Sequence, residues 1–206
     1  TQKFIFDKVL KEKGEQSIED GEYEIRTVLD RNKIFDIAGG SNSAGAKVQL
    51  WYDSNVEQQR FIVKYVGDGY YKITVRKSQK VLDVTGGSIK EGASMQQYDN
   101  NNTDAQRWII KETENGYYNI ISKCNGLYGT ITDNSVGSQI CMYESNEENT
   151  QKFIFDKIII EEGKKCKKNG TYEINTVLND NKVLDIASGS NQVGALLQIW
   201  DRASVP

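Results

Sequence analysis

The octapeptide TQKFIFDK stands at Thr1–Lys8 and again, unchanged, at Thr150–Lys157. The register continues past it: GEYEIRTVLDRNKIFDIAGGSNSAGAKVQLW from Gly21 aligns without a gap on GTYEINTVLNDNKVLDIASGSNQVGALLQIW from Gly170, an offset of 149 residues throughout. A period of that length is domain-sized, so near-copies of one domain are being cut across. A shorter period lies inside it. GEYEI, GYYKI and GYYNI begin at Gly21, Gly69 and Gly116, 48 and 47 residues apart. Each is followed by a second apolar run (KIFDI, KVLDV, GLYGT) and a third (VQLWY, SMQQY, QICMY). Each unit then closes on Gln-x-aromatic: Gln59-Arg60-Phe61, Gln106-Arg107-Trp108 and Gln151-Lys152-Phe153.

Short runs of alternating or β-branched apolar residues, broken every 8–12 residues by clusters of Gly, Asn, Asp and Ser, are the pattern of strands and turns. No window keeps a 3.6-residue period long enough to predict a helix. Four short strands in each of three units predict an all-β domain of twelve strands. The linkers set its phase. The step from closing aromatic to next unit is nine residues after Phe61 and Trp108 but eighteen after Phe153. The surplus falls in the charged, apolar-poor EEGKKCKKN, whose counterpart is EKGEQSIED; such stretches read as inter-domain linkers. The expected layout is a tail of a preceding copy at 1–11, a linker at 12–20, a complete domain at 21–160, a linker at 161–169 and a truncated first unit of a following copy at 170–206.

Composition narrows the chemistry. The chain has no His, which removes serine-type triads, Cys–His dyads, His-ligated zinc and imidazole acid–base work together. A net charge of −3 argues against non-specific nucleic-acid or anionic-membrane partners, and KKCKK at 164–168 reads as solvated linker. No apolar run reaches membrane-spanning length, so no membrane insertion is expected. Thr1 opens directly on a strand-like run without a signal-type leader, as in a processed product or excised piece. Cys124, Cys141 and Cys166 share no ligand-type spacing and are odd in number, so at least one is free or intermolecular. The Gly-rich GGSNSAG and GGSIKEG lack the Gly-Lys-Ser/Thr of a phosphate-binding loop and read as turns between second and third strands. No metal, cofactor or catalytic set is expected.

Three units of some 47 residues, each of four strands and each ending in Gln-x-Trp or Gln-x-Phe, resemble the ricin B-chain-like β-trefoil lectin domains. The resemblance covers the whole chain and implies an all-β β-trefoil of three four-stranded units with pseudo-threefold symmetry, plus partial flanking copies. Phe61, Trp108 and Phe153 are then expected to meet near the pseudo-threefold axis and fill the core, with their Gln partners satisfying buried backbone groups.

The resemblance further implies one shallow sugar site per unit, made of an Asp after the second strand, a Gln thirteen residues on, an aromatic two beyond, and a polar group near the Gln-x-Trp. The chemistry suits a sugar, whose apolar C–H face lies on a flat aromatic and whose hydroxyls donate to an ionised Asp. The first unit supplies Asp36, Gln49, Trp51, Gln58 and Gln59. The second supplies Asp83, Gln96, Tyr98 and Gln106, with Ala105 in place of Gln58. In the third, thirteen residues back from Cys141 falls Tyr128, so the Asp and Gln are lost while Tyr143 keeps the aromatic. The partial fourth unit restores Asp185, Gln198 and Trp200. Each Asp also precedes a Gly- or Ser-rich turn it could cap, and each aromatic could be a cross-strand packing residue.

The expected function is non-catalytic binding of carbohydrate, galactose-type or plant-polysaccharide glycans, by a tandem module of a larger secreted, extracellular bacterial protein. The alternative is a protein–protein interaction or structural spacer module with degenerate sugar sites. The two identical octapeptides both fit one closing-strand slot, and Pro206 followed by Thr1 would continue the repeat, so strand-swapped or head-to-tail self-association through the cut ends is a further expectation.

Overall fold

The computed structural model describes residues 15–159, 175–176, 179–190 and 192–201. The chain divides between residues 160 and 161 into two compact units. In the first, β1 (Gly21–Thr27), β2 (Lys33–Ile37), β3 (Val48–Tyr52) and β4 (Phe61–Gly67) come from the first repeat. The second gives β5 (Tyr70–Val75), β6 (Val81–Val84), β7 (Met95–Tyr98) and β8 (Trp108–Glu112), and the third β9 (Tyr118–Ser122), β10 (Tyr128–Ile131), β11 (Ile140–Tyr143) and β12 (Phe153–Lys157). No α-helix occurs among the described residues.

Alternation builds the barrel. In β1 the side chains of Tyr23, Ile25 and Thr27 are buried, and in β5 those of Tyr71, Ile73 and Val75, every second residue as a pleated strand requires. The first and last strands of the units close into a six-stranded antiparallel ring: β1 pairs with β4, β4 with β5, β5 with β8, β8 with β9, β9 with β12 and β12 with β1. Closure leaves no open edge among these six. The remaining hairpins, β2–β3, β6–β7 and β10–β11, cap one end.

The pseudo-threefold symmetry is written in backbone bonds. Leu50 donates to Ser138 O, Gln97 to Ala46 O and Met142 to Ala93 O, each at 2.8 Å, so each hairpin is tied to the loop of another in a cycle. The returning donors are the amides of Gly137, Gly45 and Gly92, whose φ of +86°, +85° and +78° lies where a Cβ is costly. Leu50 and Met142 are apolar core residues, but their counterpart Gln97 is polar and fully buried. It is satisfied: its Nε2 donates to Ser41 O (2.8 Å) and Ser43 O (2.9 Å), and Ser78 Oγ donates to its Oε1 (2.7 Å).

As the repeat predicts, Phe61, Trp108 and Phe153 are fully buried. Phe35 packs edge-on against both Phe61 and Phe153, and Trp108 Nε1 donates to Leu82 O at 3.1 Å. The closing slot beside β1 holds Phe153–Lys157, with Thr27 opposite Phe153 and Tyr23 opposite Lys157; Thr1–Lys8 lies outside the described residues. The end of the expected first linker is docked on the barrel. Ile18 joins the core, the amides of Ser17 and Ile18 donate to Tyr71 Oη at 2.6 and 3.0 Å, and Asp20 accepts from the Tyr65 amide at 2.8 Å.

In the second compact unit, β13 (Asn175–Thr176), β14 (Asn179–Ile186) and β15 (Leu197–Asp201) form a three-stranded antiparallel sheet. Leu184, Ile186, Leu197 and Ile199 are 39–64% exposed. Their counterparts in the first repeat, Phe35, Ile37, Val48 and Leu50, are fully buried. The apolar positions are kept in both copies; burial requires the other two units.

Candidate functional site

In the first repeat the β2–β3 register sets Asp36 opposite Gln49. Gln49 Nε2 donates to Asp36 Oδ1 at 2.9 Å. Asp36 is nearly buried. That burial pushes its carboxyl above the ordinary Asp range, against hydrogen bonds from Gln49 and Gln59 and the charge of Lys77, which pull it down. Trp51, two residues from Gln49, emerges on the same face of β3 and is 41% exposed. With Gly39, Gly40 and Gln58 these residues line an open groove of about 390 Å³. A carboxylate held by an amide, beside an exposed aromatic face, can accept hydroxyl protons while the ring covers an apolar surface.

The second repeat builds the same arrangement. Asp83 lies opposite Gln96, Gln96 Nε2 donates to Asp83 Oδ1 at 2.8 Å, and Tyr98 is 41% exposed. Burial again raises the carboxyl, opposed by the Gln96 and Gln106 hydrogen bonds. This groove measures about 460 Å³, with Ala105 where the first has Gln58.

Gln59 and Gln106, expected among the sugar contacts, are both 0% exposed. Each belongs to a short 3₁₀ turn, at Glu57–Gln59 and Asp104–Gln106. Gln59 Oε1 accepts from the Ser54 amide and its Nε2 donates to Tyr52 O, both at 2.9 Å. Gln106 accepts from the Asn101 amide (2.9 Å) and donates to Asp99 O (2.8 Å) and Asp83 Oδ2 (3.1 Å). They satisfy buried backbone and hold the Asp from behind.

The third repeat corrects the sequence register. Cys141 pairs with Thr130, and Tyr128 pairs with Tyr143, in the slot that Ile34 and Val81 fill against Trp51 and Tyr98. Thr130, not Tyr128, stands where the Asp should be. The reason is a hairpin loop two residues shorter: Asp to Gln spans 13 residues in the first two repeats, Thr130 to Cys141 only 11. Gln151 Nε2 donates to Thr130 Oγ1 at 2.8 Å, as Gln106 does to Asp83. The shortening also removes the turn after the second strand, Ala38–Gly40 and Thr85–Gly87 in the other repeats. The second compact unit keeps both features: Ala187–Gly189 forms the turn, and Gln198 Nε2 donates to Asp185 Oδ2 at 3.1 Å beside an exposed Trp200.

Two residues at the grooves escaped the repeat logic because they come from the next unit. Lys77, in the turn after β5, donates from Nζ to Gly40 O at 2.6 Å beside the first groove. Cys124, in the turn after β9, lines the second. Cys124 and Cys141 are free thiols. Among the described residues no group of three His, Cys, Asp or Glu side chains is placed to hold a metal, and no helix is long and apolar enough to cross a membrane.

A family model described as ricin-type β-trefoil lectin domain-like matches the chain three times, over residues 1–98, 57–143 and 104–200. The chain belongs to this family. Among solved structures, this trefoil chain is similar to a designed 3-fold symmetric protein, ThreeFoil, at 28% identity over 68% of this chain and 100% of that one, with a TM-score of 0.65. It also resembles an exo-β-1,3-galactanase from Clostridium thermocellum, at 25% identity over 68% of this chain, with a TM-score of 0.65, the match spanning only 31% of the galactanase. A Macrolepiota procera ricin B-like lectin solved with lactose shares the fold at 14% identity, over 69% of this chain and 100% of the lectin, with a TM-score of 0.59. A comparison with curated protein sequences gave no match. The fold and family are those of carbohydrate-binding lectins.

Proposed function

We propose that this chain binds carbohydrate without catalysis, through the first and second grooves, as a tandem module of a larger secreted protein, with galactose-type or plant-polysaccharide glycans as ligands. The observation that carries the reading is the Asp–Gln hydrogen bond beside an exposed aromatic, at 36/49/51 and 83/96/98, and again at 185/198/200. The third repeat keeps the strands without the Asp and Gln, so the fold does not demand them. Open grooves contact one face of a sugar and bind weakly; several on one chain gain through multivalency. An enzyme would need a water-excluding site with an assembled acid, base or nucleophile, and grooves of this kind are open to solvent.

The test is a glycan array probed with the wild-type chain, Asp36→Ala and Asp83→Ala. Binding that falls in either variant supports the lectin reading and names the sugar class. No binding to any glycan by a folded chain moves the assignment to a protein-interaction or spacer module.

A further inference from the structure

The first and second grooves differ at a position that neither repeat supplies to its own groove. Arg76 N–H donates to Arg60 O at 2.8 Å, and Lys123 N–H to Arg107 O at 2.9 Å. The residues that follow, Lys77 and Cys124, therefore occupy equivalent slots, each on the turn of the next repeat and each against a groove. In the first repeat the same bond joins Val28 N–H to Lys152 O, which puts Leu29 in the slot beside the third repeat.

The charges differ accordingly. Lys77 Nζ rests on Gly40 O, a neutral carbonyl of the groove lining. A Cβ on Gly40 would lie 3.1 Å from that ammonium and 3.4 Å from the Gln58 amide nitrogen, so both side chains converge on the same rim. Among the described residues no carboxylate lies within ion-pair distance of Lys77, and its charge reaches Asp36. An ammonium has three donors, and one carbonyl uses one. At the second groove the neighbouring cation is spent: Lys123 Nζ is 2.8 Å from Asp104 and 4.9 Å from the centre of the Tyr70 ring. Asp104 itself lines that groove, beside Cys124.

We infer that Lys77 is a specificity-determining residue, making the first groove a site for acidic carbohydrate, a sugar bearing carboxylate or sulfate, while the second takes neutral sugar. This rests on the carbohydrate reading of the grooves. Asp36 reads hydroxyls, and the Lys77 ammonium at the Gly40 rim offers its remaining donors to an anionic substituent. Lys77 is solvent-exposed, so the gain is modest and screened by salt.

The experiment isolates the first groove with Asp83→Ala and Asp185→Ala together and probes an array of neutral galactosides, xylo-oligosaccharides, oligogalacturonides and 6-sulfated galactosides. The acidic glycans are expected to bind about fivefold more tightly than their neutral counterparts at low ionic strength. The advantage is expected to fade with added salt, vanish in Lys77→Gln and survive in Lys77→Arg. Oligogalacturonide and sulfated arms separate carboxylate from sulfate recognition. Equal binding of neutral and acidic glycans, or a preference that persists in Lys77→Gln, overturns the role of Lys77 and leaves the lectin reading standing. No glycan bound by the folded Asp83→Ala/Asp185→Ala chain while wild type binds also overturns the role of Lys77, and no glycan bound by either overturns both.

Discussion

The first and third repeats share a backbone and differ in what the backbone presents. Each has four strands, a hairpin tied into the same threefold cycle of amide bonds, and a fully buried closing aromatic, Phe61 or Phe153. Each has a buried Gln that accepts one amide and donates to one carbonyl, Gln59 or Gln151. Only the first has a carboxylate held by a second Gln. The Gln-x-aromatic signature therefore belongs to the fold, and the Asp–Gln–aromatic set is an addition that one repeat can lose at no cost to the others.

If that division holds, damage to the third repeat's signature must harm the whole domain. Phe153→Ala is expected to cost about 3–5 kcal/mol, from lost burial and an unfilled cavity against Phe35. Urea denaturation measures it; a loss under about 1 kcal/mol would break the comparison. Asp36→Ala, by contrast, is expected to leave stability nearly intact. It should weaken glycan binding at the first groove by about 1.5–3 kcal/mol, the range for a hydrogen bond to a charged group, roughly ten- to a hundredfold. Titration calorimetry in an Asp83→Ala/Asp185→Ala background reads that groove alone.

A graft sharpens the comparison. Thr130→Asp with Cys141→Gln restores the paired side chains, because these residues already face each other. It is expected to shift stability by about 1 kcal/mol or less and to create no third binding site, since the turn of Ala38–Gly40 is missing from the shorter loop. Replacing residues 132–139 in that variant with the ten residues 38–47 supplies the turn, and one further binding equivalent should then appear by calorimetry. Binding by the double variant without the longer loop would show that the turn is dispensable.

The same contrast marks what the sequence made legible. Strand grammar, the closing aromatics and the Asp–Gln–aromatic sets follow from short-range spacing, and the hairpins that carry them are local. Counting failed where the third hairpin lost two residues: thirteen back from Cys141 lands on Tyr128, a packing slot, because register is set by pairing and not by sequence distance. The orientation of Gln59 and Gln106 was hidden for a related reason. Adjacency to a site in sequence says nothing of which way a side chain turns, and these turn inward to unpaired backbone. Lys77 was out of reach, since the groove it flanks belongs to the preceding repeat.

The smallest expected effect concerns pH, and it separates site from fold by sign. Asp36 and Asp83 are both raised above their ordinary value by burial. An ionised carboxylate is the hydroxyl acceptor, so glycan binding is expected to weaken as pH falls, beginning above the usual Asp range of about 4. Stability responds the other way. A carboxyl whose folded pKa is raised binds its proton more tightly in the native state; its contribution is therefore fully present below the unfolded value and lost as pH rises through the raised one. Asp30 and Asp53 are lowered, by a backbone hydrogen bond from Asn32 and by the Arg26 side chain respectively, and their contributions are lost as pH falls through their lowered values. Between the ordinary Asp value and the raised ones, acidification should thus loosen the ligand while relieving strain at the two buried carboxylates. Comparing wild type with Asp36→Asn across that window, by calorimetry and by thermal melting, isolates the term. Asn cannot titrate, so the variant's curves should be flatter in both readouts, and curves that superimpose on wild type would place the titrating acceptor elsewhere.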